Sequence, residues 1–123
     1  VRAIGWLGAE HAYPTGILDP DAATKLRVFA ERWFKSTEDL GWPCAAGAHQ
    51  CDICGDFFAA GNFGVPAPNV LYVCPEMLAH YVAAHDYLPP AEFVEALLES
   101  PLPGTPGYQE ATMPFRSAPW PPT

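Results

Sequence analysis

The sequence predicts an α+β domain in which a few short antiparallel strands pack against about three helices. Three observations carry that reading. Apolar residues recur at helical spacing between residues 20 and 36. Val70–Cys74 is an unbroken apolar run, rich in β-branched and aromatic residues, as a buried strand requires. The third is a pair of close-spaced ligand motifs, Cys51-x-x-Cys54 and His80-x-x-x-x-His85, separated by 25 residues. Two thiolates and two imidazoles are the donors of a tetrahedral zinc site, so the pairing predicts a zinc knuckle at the centre of the domain.

The elements follow in order. Ile4–Leu7 is short and apolar, suited to an edge strand, and residues 8–16 form a Gly/Pro-rich loop in which His11 is a surface or turn histidine. Asp19-Pro20 supplies an N-cap carboxylate and a proline at the first helical position. One helix is predicted over roughly 20–36, with Leu26, Phe29, Ala30, Trp33 and Phe34 facing inward and Lys25, Arg27, Glu31, Arg32 and Lys35 outside. A turn-rich connection containing Pro43 and Cys44 leads to His49–Cys51, which should be extended into the knuckle. There Gly55 permits the positive φ that such a turn uses. Strand material follows over 57–65, interrupted at Gly61-Asn62, and Pro66-Ala-Pro-Asn69 makes the turn into Val70–Cys74. Pro75-Glu76 opens a second predicted helix carrying Met77, Leu78, His80, Tyr81, Val82 and His85, which stops before Pro89-Pro90. Pro90 begins a third, to about Ser100, with Phe93, Val94, Ala96 and Leu97 inside and Glu92, Glu95 and Glu99 on a solvated face. Seven of the fifteen prolines lie in the last 23 residues, where no helical or strand period exists. Residues 1–100 therefore read as a single zinc-stapled domain and 101–123 as a Pro-rich tail, touching the domain through Tyr108, Phe115 and Trp120.

The predicted metal ligands are Cys51, Cys54, His80 and His85. The gap between the motifs is about twice that of a nucleic-acid-binding finger. His49 and Cys74 are the alternative ligands, one two residues before Cys51 and the other leading the helix. Cys44 and Cys74 otherwise read as small buried residues. On an ideal helix His80 and His85 lie about 140° apart, so they converge only if the last turn tightens or unwinds. A thioredoxin-like redox role fits poorly, because Gly55 and an apolar run follow the C-x-x-C where that chemistry needs a helix N-terminus. Nucleophilic catalysis by Cys51 has still less behind it.

Charge narrows the partners. Of 14 acidic residues, ten lie beyond Lys35, where Arg116 is the only basic residue, and the net charge is −8. A phosphate backbone is held by clustered Lys and Arg, so no nucleic-acid partner is expected. No run of about 18 apolar residues and no leader pattern is present, which predicts no membrane association and a cytoplasmic protein with reduced thiols rather than two disulfides. Two function classes remain: a non-enzymatic module binding protein partners around a structural Zn2+, and a zinc-dependent hydrolase with an open coordination position and Glu76 as general base.

The layout Trp6-Leu7-Gly8 with His11, Pro14-Thr15-Gly16, His49-x-Cys51-x-x-Cys54, Gly61-Asn62, Tyr72-Val73 and His80-Tyr81-x-x-x-His85-x-Tyr87-x-Pro89-Pro90-x-x-Phe93 resembles an uncharacterised family of small bacterial proteins. The resemblance covers about residues 4–97 and implies a shape without an activity. In such proteins the position of Cys74 usually carries a small residue, which favours His80 and His85 as ligands.

Overall fold

The computed structural model describes residues 2–4, 12–42, 49–59 and 61–116, with the side chain of His49 excepted. Leu7, His11, Cys44 and Trp120, to which the sequence assigns an edge strand, a loop, a connection and a docked tail, lie outside the described residues. In chain order the elements are β1 (Arg2–Ala3), α1 (Pro20–Glu31), α2 (Trp33–Leu40), β2 (His49–Gln50), β3 (Phe58–Ala59), β4 (Asn62–Ala67), β5 (Val70–Pro75), α3 (Leu78–His85), α4 (Ala91–Glu99), α5 (Pro106–Thr112) and a 3₁₀ turn (Met113–Phe115). The α+β class is as the sequence predicts, with five helices and a three-stranded mixed sheet. None of these helices is long and apolar enough to cross a membrane.

β4 and β5 form an antiparallel hairpin from Asn62↔Pro75 to Ala67↔Val70, turning at Pro68-Asn69. The sheet is mixed rather than wholly antiparallel because β1 joins the far side of β5 in parallel, Arg2 opposite Tyr72, and Ile4 donates its amide to the Val73 carbonyl. β2 and β3 make a separate two-stranded ribbon that carries the knuckle. Helices cover the sheet, and Leu26, Phe29, Phe63, Val65, Leu78, Phe93, Leu97 and Tyr108 share one core.

Three predicted elements differ from the observed ones, each for a local reason. The helix foreseen over 20–36 starts at Pro20, with Asp19 accepting the amides of Asp21 and Ala22, but it breaks at Arg32 (φ −101°, ψ 20°). Beyond the break α2 is rotated. Phe34 points to solvent, Trp33 is half-buried, and Ser36, Thr37 and Leu40 are buried instead. The second helix starts at Leu78 and not at Pro75. Pro75 belongs to β5, and Glu76 is fixed to Gly61 by a pair of bonds, its amide to the Gly61 carbonyl at 2.7 Å and its carboxylate from the Gly61 amide at 3.2 Å. Gly61 is required there, since a Cβ would collide with the Trp33 indole.

The third difference lies beyond Pro101, where the sequence predicts no element and α5 forms. Thr105 caps it, its hydroxyl accepting the Tyr108 amide, and Pro106 occupies the first turn. Tyr108 is fully buried, its ring edge-on to Phe29 at 6.1 Å. Its hydroxyl donates to the Gly64 carbonyl (2.6 Å), while the Gly64 amide donates to Ser36 Oγ (2.8 Å). The Tyr108 proton is thereby committed, so the 2.6 Å contact between the two hydroxyls must run from Ser36 to Tyr108. The three bonds close a ring. Lys25 to the Leu98 carbonyl, Arg32 to the Pro103 carbonyl and the Gly104 amide to Asp39 tie residues 98–104 to α1 and α2.

Candidate metal centre

The knuckle is set by backbone bonds. The Cys51 amide donates to the Phe57 carbonyl and the Gly55 amide to the Cys51 carbonyl, each at 2.8 Å, and Gly55 takes φ +72°. The turn curls residues 51–55 so that both thiols project to the same side, and Gln50 Nε2 braces it by donating to the Gly55 carbonyl at 2.6 Å. The Asp56 amide donates to Cys54 Sγ at 3.5 Å, the kind of donor a thiolate needs.

The histidines come from opposite ends of α3. Their five-residue separation is accommodated by unwinding of the last turn. The Asp86 amide reaches back five residues to the Tyr81 carbonyl, and the Tyr87 amide reaches the same oxygen. An i→i−5 bond marks a wider turn than an α-helix, and it rotates His85 toward the face of His80. Asp86 ends the helix in the left-handed region, φ 54°. The loop before α1 holds that end in place. Gly16 donates to the Asp86 carbonyl, Leu88 to the Pro14 carbonyl, and the Tyr13 hydroxyl to the His85 carbonyl at 3.2 Å.

The result brings Cys51, Cys54, His80 and His85 together, with one donor atom of each within 4.8 Å of all the others. Cys51 Sγ lies 3.5 Å from His85 Nε2, Cys54 Sγ 3.4 Å from His80 Nε2, and the two Nε2 atoms are 3.2 Å apart. Bonds of about 2.3 Å to sulfur and about 2.0–2.1 Å to nitrogen at the tetrahedral angle put S···N edges near ~3.6 Å and N···N edges near ~3.4 Å. The three observed separations lie close to those edges and the remaining pairs are within 4.8 Å, so the cluster is able to hold a metal ion. Burial, and then the neighbouring His85, lower the pKa of His80 below its ordinary value, which favours the neutral imidazole a metal needs.

Cys51 is fully buried, both histidines are half-buried and Cys54 is exposed. Cys74 does not join the group; it is sealed in the main core, where burial pushes its thiol pKa well up. His49 pairs through its backbone with Ala59. Phe57, which the sequence marks only as strand material, stacks flat on His80 at 4.3 Å and 6°. Its place directly after the knuckle is the only signal that could have found it.

Fold and cluster together define a small α+β protein whose knuckle and helix offer a Cys2His2 set able to hold a metal ion. The chain belongs to a family described as a domain of unknown function, DUF7919, which matches residues 1–98. No curated protein and no solved structure matches it.

Proposed function

We propose that Cys51, Cys54, His80 and His85 bind one Zn2+ as a closed structural site, and that the protein is a non-catalytic, cytoplasmic module for protein partners. The observation that carries the metal reading is the convergence of four protein donor atoms within 4.8 Å, three of their separations being close to the edges of a tetrahedral site. Mixed thiolate and imidazole donors suit zinc, and four of them leave no position for a reacting water. The ion staples the β2–β3 ribbon to α3, contributing on the order of 10 kcal/mol of apparent binding energy that is also folding energy. The hydrolase alternative has less support, because the Glu76 carboxylate that would serve as base is engaged with the Gly61 amide. An acidic surface, with Arg116 the only basic residue beyond Lys35, favours protein partners over nucleic acid or anionic lipid.

Elemental analysis of the purified full chain should find about one zinc per chain. Cys51→Ser and His85→Ala should each abolish that stoichiometry, while Cys74→Ser keeps it whatever its effect on the core. Full zinc content in Cys51→Ser, or none in the unaltered chain, would refute the assignment. Water in the coordination shell by X-ray absorption would transfer the site to the hydrolase reading.

A further inference from the structure

We infer that the C-x-x-C half of the site is an oxidative modification site for hydroperoxides: Cys54 is the thiolate attacked first, Cys51 resolves it, and the resulting disulfide expels the ion and frees the knuckle from α3. The chemistry presupposes the zinc site proposed above and adds a reactivity to it.

The asymmetry of the two sulfurs is the starting point. Cys54 is exposed, whereas Cys51 is fully buried beneath it. Reactivity toward peroxide follows thiolate character and access, and a metal-bound sulfur is held as thiolate. Only Cys54 combines both. The resolving thiol is already in place, since the two Sγ atoms belong to one group spanning no more than 4.8 Å. Their proximity does not depend on the ion. The Cys51–Phe57 and Gly55–Cys51 backbone bonds and the Gln50 brace hold the turn from outside the coordination sphere. Expulsion therefore leaves the sulfurs side by side.

The steps balance as follows. The Cys54 thiolate attacks one peroxide oxygen; an S–O bond forms, the O–O bond breaks, and the leaving hydroxide or alkoxide takes a proton from water. Cys54 is then a sulfenic acid. The Cys51 thiolate attacks the Cys54 sulfur, the S–S bond forms, the S–O bond breaks, and hydroxide leaves and is protonated. Two electrons have passed from the sulfur pair to the peroxide. With both thiolates consumed, two imidazoles remain, too few to retain zinc against water.

The released half of the tether has a defined fate. α3 is anchored by Leu78 and Tyr81 in the core and by the loop bonds at its end, so it stays folded when the ligands separate. The knuckle between β2 and β3 is the element set free. Cys74 supplies an internal comparison, a thiol in the same chain that is sealed in the core and carries no reactivity of this kind.

The test uses the full-length, zinc-loaded protein, its metal content measured beforehand, treated with hydrogen peroxide in the presence of a chromogenic zinc chelator. The expected result is release of the bound zinc in step with loss of two hydrogen masses. Peptide mapping should place the disulfide between Cys51 and Cys54 and leave Cys74 as a thiol, and dithiothreitol with added zinc should restore the starting mass and metal content. Retention of zinc under peroxide that fully oxidises free glutathione would overturn the inference. So would release with Cys54 driven to sulfinic acid and no disulfide, or oxidation of Cys74 ahead of Cys54. A chain that holds no zinc before treatment refutes the metal site and this chemistry with it; one that holds zinc and keeps it refutes the chemistry alone.

Discussion

Tyr108→Phe removes one oxygen atom and leaves the ring in its place against Phe29. The Tyr108 hydroxyl donates to the Gly64 carbonyl and accepts from Ser36, both at 2.6 Å. Since Tyr108, Ser36 and Gly64 are buried, water does not take its place. Two polar groups lose their partners at about 1–3 kcal/mol each, so the loss should be about 2–6 kcal/mol. That is a large share of a total stability of about 5–15 kcal/mol. Urea unfolding at saturating zinc measures it, with far-UV dichroism and tryptophan fluorescence as independent probes. Ser36→Ala breaks the same ring, so the double variant should lose less than the sum of the two single losses, by more than about 0.5 kcal/mol. A Tyr108→Phe loss below about 0.5 kcal/mol, or strict additivity with Ser36→Ala, would refute the ring as a stabilising unit.

Tyr108, together with Cys74, also sets the expected alkaline limit. Burial pushes the pKa of Tyr108 well above its usual 10.0 and that of Cys74 well above 9.0. A folded-state value above the unfolded one gives stability that is complete below the unfolded pKa and lost as pH rises toward the folded one. Stability should therefore fall progressively above about pH 9, and Tyr108→Phe should flatten that decline; a pH series of urea midpoints checks both. Ending the chain after Ser100 should cost on the order of 4–6 kcal/mol, since it removes the fully buried Tyr108 together with its bonds; an unchanged thermal midpoint would show that α5 adds nothing to the core. No salt-sensitive affinity for a random DNA duplex is expected, and sub-micromolar binding by fluorescence anisotropy at physiological salt would contradict the charge argument.

Local signals were legible where one residue type has one physical use. Asp19-Pro20 starts a helix, Gly55 takes a positive φ, and Cys51, Cys54, His80 and His85 converge as their spacing requires. Geometry alone required the last turn of a helix carrying a five-residue histidine pair to tighten or unwind; that it unwinds is visible only in the Asp86–Tyr81 bond. What could not be read were the decisions made by tertiary partners. Ser36 and Thr37 look like the solvent side of a helix, yet they are inside and Phe34 is outside, because the Gly64 amide and the Tyr108 hydroxyl accommodate a buried serine. Pro75 has the look of a helix start but completes a strand, because Gly61 holds Glu76 from 15 residues away. In α5 the capping residues Thr105 and Pro106 are present in the sequence, but proline density conceals them.

Among the described residues β4 is the outer strand of the sheet, with β5 on one side only. Alternation along an antiparallel ladder turns Asn62, Gly64 and Pro66 away from β5, and such outward groups are a template on which a strand of another molecule can add. Here the template is blocked at successive positions. Pro66 has no amide to offer, and both polar groups of Gly64 are already taken by Ser36 and Tyr108. Ser36 of α2 and Tyr108 of α5 thus take, at Gly64, the bonds that a fourth strand would make. Detaching α5 would free one acceptor, the Gly64 carbonyl, while Ser36 still holds the Gly64 amide and Pro66 still offers none, so this edge stays a poor template for a second copy of the chain.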